Sequence, residues 1–158
     1  MAFQPAQKLM VAKNPPPLGV GSVKYIFFDT ENNKIIGFSS ICCNGISIYK
    51  GDEDKSLYET TIPSVEIDFF AIDEEYRSIP LDEQSNRYET LSKALFLFVL
   101  NHIKEITKNV IGATHICLYS VPSAVNFYKR CGFIDFTEYM KKDEKPFIKD
   151  CVPMFYII

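Results

Sequence analysis

The stretch AVNFYKRCGF, residues 124–133, decides how the rest of the chain is read. It opens on small and apolar residues, carries Tyr128-Lys129-Arg130, and stops at Gly132 before the apolar Phe133. Glycine just past a short helix is where a chain leaves through the left-handed backbone region. Two basic residues in the last turn suit the negative end of the helix dipole. Upstream, THICLYSV (114–121) reads as a buried strand, and Pro122-Ser123 starts the helix, with Ser123 the expected N-cap. Downstream, FIDFTEYM (133–140) reads as a further strand. The segment is therefore strand, short helix over 123–131, strand.

Working outward, a polar excursion KKDEKPFIKD (141–150) leads to a closing strand, VPMFYII (152–158). Before the segment lies the strongest helix pattern, TLSKALFLFVLNHIKEITKN (90–109). Leu91, Leu95, Phe98, His102 and Ile106 recur at helical spacing, and Ala94 and Val99 widen the stripe. Earlier still, VEIDFFAID (65–73) reads as a strand bounded by Pro63 and the acidic turn DEEYRS. Alternation sets Glu66, Asp68, Phe70 and Ile72 on one face and Ile67, Phe69 and Ala71 on the other. Two carboxylates on a face that ends in Phe and Ile call for a polar partner or water beside them. SVKYIFFDT (22–30) and KIIGFSSICC (34–43) form a hairpin, with 44–50 able to extend its second strand. GDEDKS (51–56) is a charged loop, and NPPPLGVG (14–21) separates the hairpin from a short helix expected within 1–13. A strand-helix-strand unit needs a parallel crossover whereas hairpins are antiparallel, so the class is a mixed α/β sheet.

Composition narrows the function. The 158 residues suit one domain, 1–158, with 47% hydrophobic and 23% charged residues. Thirteen Phe and nine Tyr with no Trp predict a Phe-rich core. A net charge of −3 argues against a general nucleic-acid binder and does not repel cationic substrates. The five cysteines, Cys42, Cys43, Cys117, Cys131 and Cys151, match neither a disulfide framework nor a Cys-x-x-Cys metal site. They point to a reducing cytosol, and no metal is expected. The most apolar run, ALFLFVL (94–100), is too short to span a bilayer. A soluble cytoplasmic protein is expected.

Three stretches carry a resemblance to the GNAT superfamily of acetyl-CoA-dependent N-acetyltransferases. VEIDFFAIDEEYR resembles the family's central strand and its acidic turn. RYETLSKALF is similar to the Arg-x-x-Gly-x-Gly/Ala loop that opens a helix on the coenzyme A diphosphate. AVNFYKRCGF resembles the A-x-x-F/L-Y-x-x-x-G-F signature and is the most specific of the three, and VPMFYII resembles the last strand of many members. The resemblance implies a mixed, centrally splayed sheet flanked by helices, with a shortened N-terminal region. It places the pantetheine arm along the backbone of Phe70, Ala71 and Ile72. It places the diphosphate at Arg87, Thr90, Leu91, Ser92 and Lys93, and further cofactor contacts at Ala124 and Lys129, with Lys129 or Arg130 reaching the 3′-phosphate. Thr90 and Ser92 stand where the family has small residues, usually glycine, and Val121 where many members carry Asn.

Acyl transfer to an amine needs a base for the ammonium proton and a donor for the departing sulfur. The resemblance assigns the base to Glu66, with Asp68 as alternative, and the donor to Tyr128. A backbone N–H near Ile72 would polarise the carbonyl. His102 and His115 read as structural. The leading expectation is acetyl transfer from acetyl-CoA to a primary amine of a small molecule, peptide or protein. Two alternatives stand beside it: a catalytically degenerate acyl-CoA-binding or regulatory module, and a toxin-like acetyltransferase of aminoacyl-tRNA. With only residues 1–21 before the hairpin, a Phe-rich sheet face is expected to be covered in a homodimer.

Overall fold

Asp29 makes the first hairpin. In the computed structural model, which describes residues 21–51, 57–82, 89–137 and 148–158, its carboxylate accepts the N–H groups of Glu31 (3.0 Å) and Asn32 (3.1 Å) and the Asn32 side-chain amide (2.7 Å). Asn33 takes a positive φ of 53°, which Asn tolerates better than most residues. This turn joins β1 (Val23–Asp29) to β2 (Lys34–Gly51), antiparallel from Val23↔Ile41 to Asp29↔Lys34, with a register shift between Phe27 and Phe28. β3 (Leu57–Ile72) follows, longer at its N-terminal end than the 65–73 expected.

Two compact units can be told apart, Met1–Cys42 with Ile67–His102, and Cys43–Glu66 with Ile103–Ile158. In the first, Asp73 caps a short helix α1 (Glu74–Arg77) by accepting the Glu75 N–H at 3.0 Å, so the acidic turn is helical. Lys34 pairs with Asp73 and Glu75 at the surface (3.4 and 2.7 Å). Phe70 packs edge-on against Phe27 and Phe96, which ties β1 and β3 to the helix α2 (Leu91–Asn109). The buried residues of α2 are Leu91, Leu95, Phe96, Val99, Leu100, Ile103 and Thr107 together with Ser92. The stripe is therefore rotated from the one expected, and Phe98 lies exposed. In ALFLFVL nearly every position is apolar, so periodicity alone does not choose the inward face.

In the second unit, β4 (His115–Ser120) is fully paired with β6 (Val152–Ile157), antiparallel from His115↔Ile157 to Ser120↔Val152. β5 (Ile134–Asp135) pairs with the other side of β6. The expected strand 133–140 is thus cut short: Asp135 accepts the Thr137 N–H (3.0 Å) and hydroxyl (2.6 Å), a side-chain turn that ends the ladder. Its last residues, 138–140, and the expected helix within 1–13 lie outside the described residues. β3 pairs with β4 in parallel over three positions only, Ser64↔His115, Val65↔Ile116 and Glu66↔Cys117. The described strands form one mixed sheet in the order β1-β2-β3-β4-β6-β5. No described helix is long and apolar enough to cross a membrane.

Candidate active site

Tyr128 stands on α3 (Val125–Arg130), which a 3-10 turn over Pro122–Ala124 introduces. Ser123 falls inside that turn and does not cap the helix; α3 begins at Ala124 without any side-chain cap. Pro122, placed at the start of the turn, opens it one residue early. The far end of α3 is fixed more firmly. Gly132, at φ 93°, donates its N–H to Lys129 O (3.0 Å), and Phe133 donates to Tyr128 O (3.1 Å). These two bonds make a Schellman motif, and the Phe133 and Tyr128 rings complete it at 6.0 Å. Phe127 meets Tyr128 edge-on at 5.2 Å. The half-buried phenol is pushed up to about 12, first by desolvation and then by the neighbouring Cys131.

The two carboxylates of β3 have found polar partners, as their face required. Asn44 of β2 donates its side-chain amide to Glu66 Oε2. Ser40 Oγ and Cys42 Sγ donate one to each oxygen of Asp68, at 3.3 and 3.2 Å. Asp68 thus has both oxygens engaged by β2. Asn44 was not singled out from sequence; its signal was a polar side chain placed straight after the apolar run that ends in Cys42-Cys43.

Further along β3, Ala71 is exposed, Ile72 is buried and Phe70 is half-buried, its ring edge-on to Phe27 and Phe96. β2 comes so close here that a Cβ on Gly37 would stand 2.5 Å from Ala71 O. The backbone over 70–72 is therefore held rigidly in place, with Asp73 N–H bonded to Ile36 O at 2.8 Å.

The start of α2 is closed by its own chain. Leu81 donates to Glu89 O (3.0 Å) and Leu91 to Ile79 O (2.8 Å), forming an antiparallel bridge of Pro80 with Thr90. Thr90 Oγ1 accepts the Lys93 N–H at 3.4 Å and Thr90 O accepts that of Ala94 at 3.0 Å. Ser92, buried, turns its hydroxyl to Arg77 O at 2.7 Å. Arg87 lies outside the described residues.

No protein-family model matches the sequence, and no curated protein does. Solved structures do. A bacterial toxin superposes with a TM-score of 0.56 at 19% identity, over 87% of this chain and 68% of that one. A mutant form of the AtaT toxin gives 0.59 at 18% identity, over 86% of this chain and 67% of that one. The fold is the GNAT acyl-CoA N-acyltransferase fold. A Bacillus subtilis acetyltransferase in complex with CoA gives 0.47 at 15% identity, over 87% of this chain and 77% of that one.

At the start of α2, the N–H groups of Leu91 and Lys93 and the Ser92 hydroxyl bond to this chain's own oxygens. Ala124 is half-buried at the end of the 3-10 turn, and Lys129 is exposed in the last turn of α3. Lys129 also helps hold Asp135 below the usual carboxylate range, after the larger effect of the Thr137 hydrogen bonds.

Proposed function

We propose that the chain transfers an acetyl group from an acetyl thioester, acetyl-CoA in the first instance, to a primary amine. The observation that carries this is Tyr128: in AVNFYKRCGF it resembles the GNAT signature tyrosine, and its backbone lies in a helix end closed by a Schellman motif. Its phenol, at about 12, keeps its proton at any neutral pH. The amine must be neutral to attack, so Glu66 takes its proton, steadied by Asn44. The new bond joins the amine nitrogen to the acetyl carbon, and the carbon–sulfur bond breaks with its electron pair leaving on sulfur as a thiolate. The nitrogen gives up its second proton to water, and the thiolate takes a proton from water to become the free thiol. Tyr128 donates a hydrogen bond to the departing sulfur.

The enzyme is read as cytoplasmic and homodimeric. Exposed Ile35, Phe38 and Phe69 on the sheet strands support the dimer, and a monomeric mass by light scattering would count against it. The deciding experiment incubates acetyl-CoA with a panel of polyamines, amino acids and peptides and follows free thiol. Amine-dependent thiol release is expected, and its absence across the panel sinks the reading.

A second reading has one observation in its favour: the likenesses at TM-scores of 0.56 and 0.59 are to toxins. On that reading the acceptor is the amino group of an aminoacyl-tRNA, which the net charge of −3 does not help to hold. Acetylation of charged tRNA, in the same assay, separates the two.

A further inference from the structure

A diphosphate is bound at a helix start by several backbone N–H groups that converge on it, and by the absence of side chains that would hold it off. In this chain that arrangement is reversed. The segment Glu89–Leu91 is zipped against Ile79–Leu81 by two backbone hydrogen bonds of 3.0 and 2.8 Å. Pro80 sits opposite Thr90, between those two bonds, a position that asks for no N–H of its own. The Leu91 N–H is therefore taken by Ile79 O, and the Lys93 N–H faces Thr90 Oγ1. Ser92 is anchored the other way, its hydroxyl on Arg77 O and its side chain buried. To bring the Leu91 and Lys93 N–H groups onto a diphosphate, the bridge and the Thr90 cap would both have to open. Among the described residues, what remains on the first turn is one cation, Lys93, a point charge able to meet a single phosphate.

We infer that this chain binds its acyl donor by the pantetheine thioester arm, and that the diphosphate and adenosine of acyl-CoA add little to the affinity. The inference rests on the acyl-transfer reading above and concerns which part of the donor that same site grips. It makes any acetylated pantetheine a competent donor, with or without the nucleotide.

Titration calorimetry of the full chain against three ligands tests it: acetyl-CoA, S-acetyl-4′-phosphopantetheine and S-acetylpantetheine. The three dissociation constants are expected within about tenfold of one another, whereas a diphosphate gripped by charge-assisted hydrogen bonds would separate them by about 100-fold or more. Acetyl-CoA binding more than about tenfold tighter than S-acetylpantetheine overturns the inference and leaves the acyl-transfer reading standing. Failure of all three to bind at millimolar concentration overturns both.

Discussion

The end of α3 and the start of α2 treat their backbone groups in opposite ways. At the end of α3 the chain closes its own carbonyls with a Schellman motif, and in doing so fixes Tyr128 at the mouth of the helix. At the start of α2 it closes two of its own N–H groups, those of Leu91 and Lys93. On the proposed function, self-satisfaction builds a reactive position in one place and erases a binding position in the other. The difference lies in what the chemistry needs: a catalytic phenol needs a fixed scaffold, whereas an anion cradle needs unsatisfied donors.

The comparison is broken most directly at Tyr128. Tyr128→Phe keeps the ring packing and removes the donor, so turnover should fall roughly 100- to 1000-fold with thioester affinity unchanged. Thiol-release kinetics beside calorimetry read both; equal turnover removes the phenol from the mechanism. The same variant reports on pH. Below pH 10 the phenol is protonated whether the chain is folded or not, and between 10 and about 12 only the unfolded chain ionises. Stability should therefore drop with rising pH across that window, by on the order of 2–3 kcal/mol, and the Phe variant should lack that share of the loss.

Gly132→Ala tests the scaffold. A Cβ at φ 93° is strained, and it would also stand 3.1 Å from the Tyr156 ring. A loss of about 1–2 kcal/mol in urea denaturation is expected, together with reduced turnover. An unaltered midpoint would mean the left-handed cap is dispensable. The smallest effect belongs to the other side: Thr90→Ala removes the acceptor of the long Lys93 bond and should cost about 0.5–1 kcal/mol. No change there would show that the start of α2 does not depend on its threonine.

Much of this was legible in the residues themselves. Gly132 after a basic last turn announced the cap, and paired carboxylates at 66 and 68 announced polar partners. Elsewhere competing local chemistry won. Pro122 opened a 3-10 turn that left Ser123 uncapping, and the Asp135–Thr137 turn stopped a strand that composition alone would have continued. Phe98 misled because its neighbours are equally apolar. Asp73, read as the end of a strand, instead capped a helical turn. The bridge of Pro80 with Thr90 could not be foreseen, since pairing between two short irregular segments leaves no periodicity to read.

The position of β6 has a consequence for how the protein is made. It comes after β4 and β5 in the chain but lies between them, contacting both. While residues 152–157 are still inside the ribosome, the facing edges of β4 and β5 have no partner, and the apolar β4 is the more hazardous of the two. A nascent chain halted before Val152 is thus a candidate for chaperone capture, and the emergence of residues 152–157 is what lets this half of the sheet close.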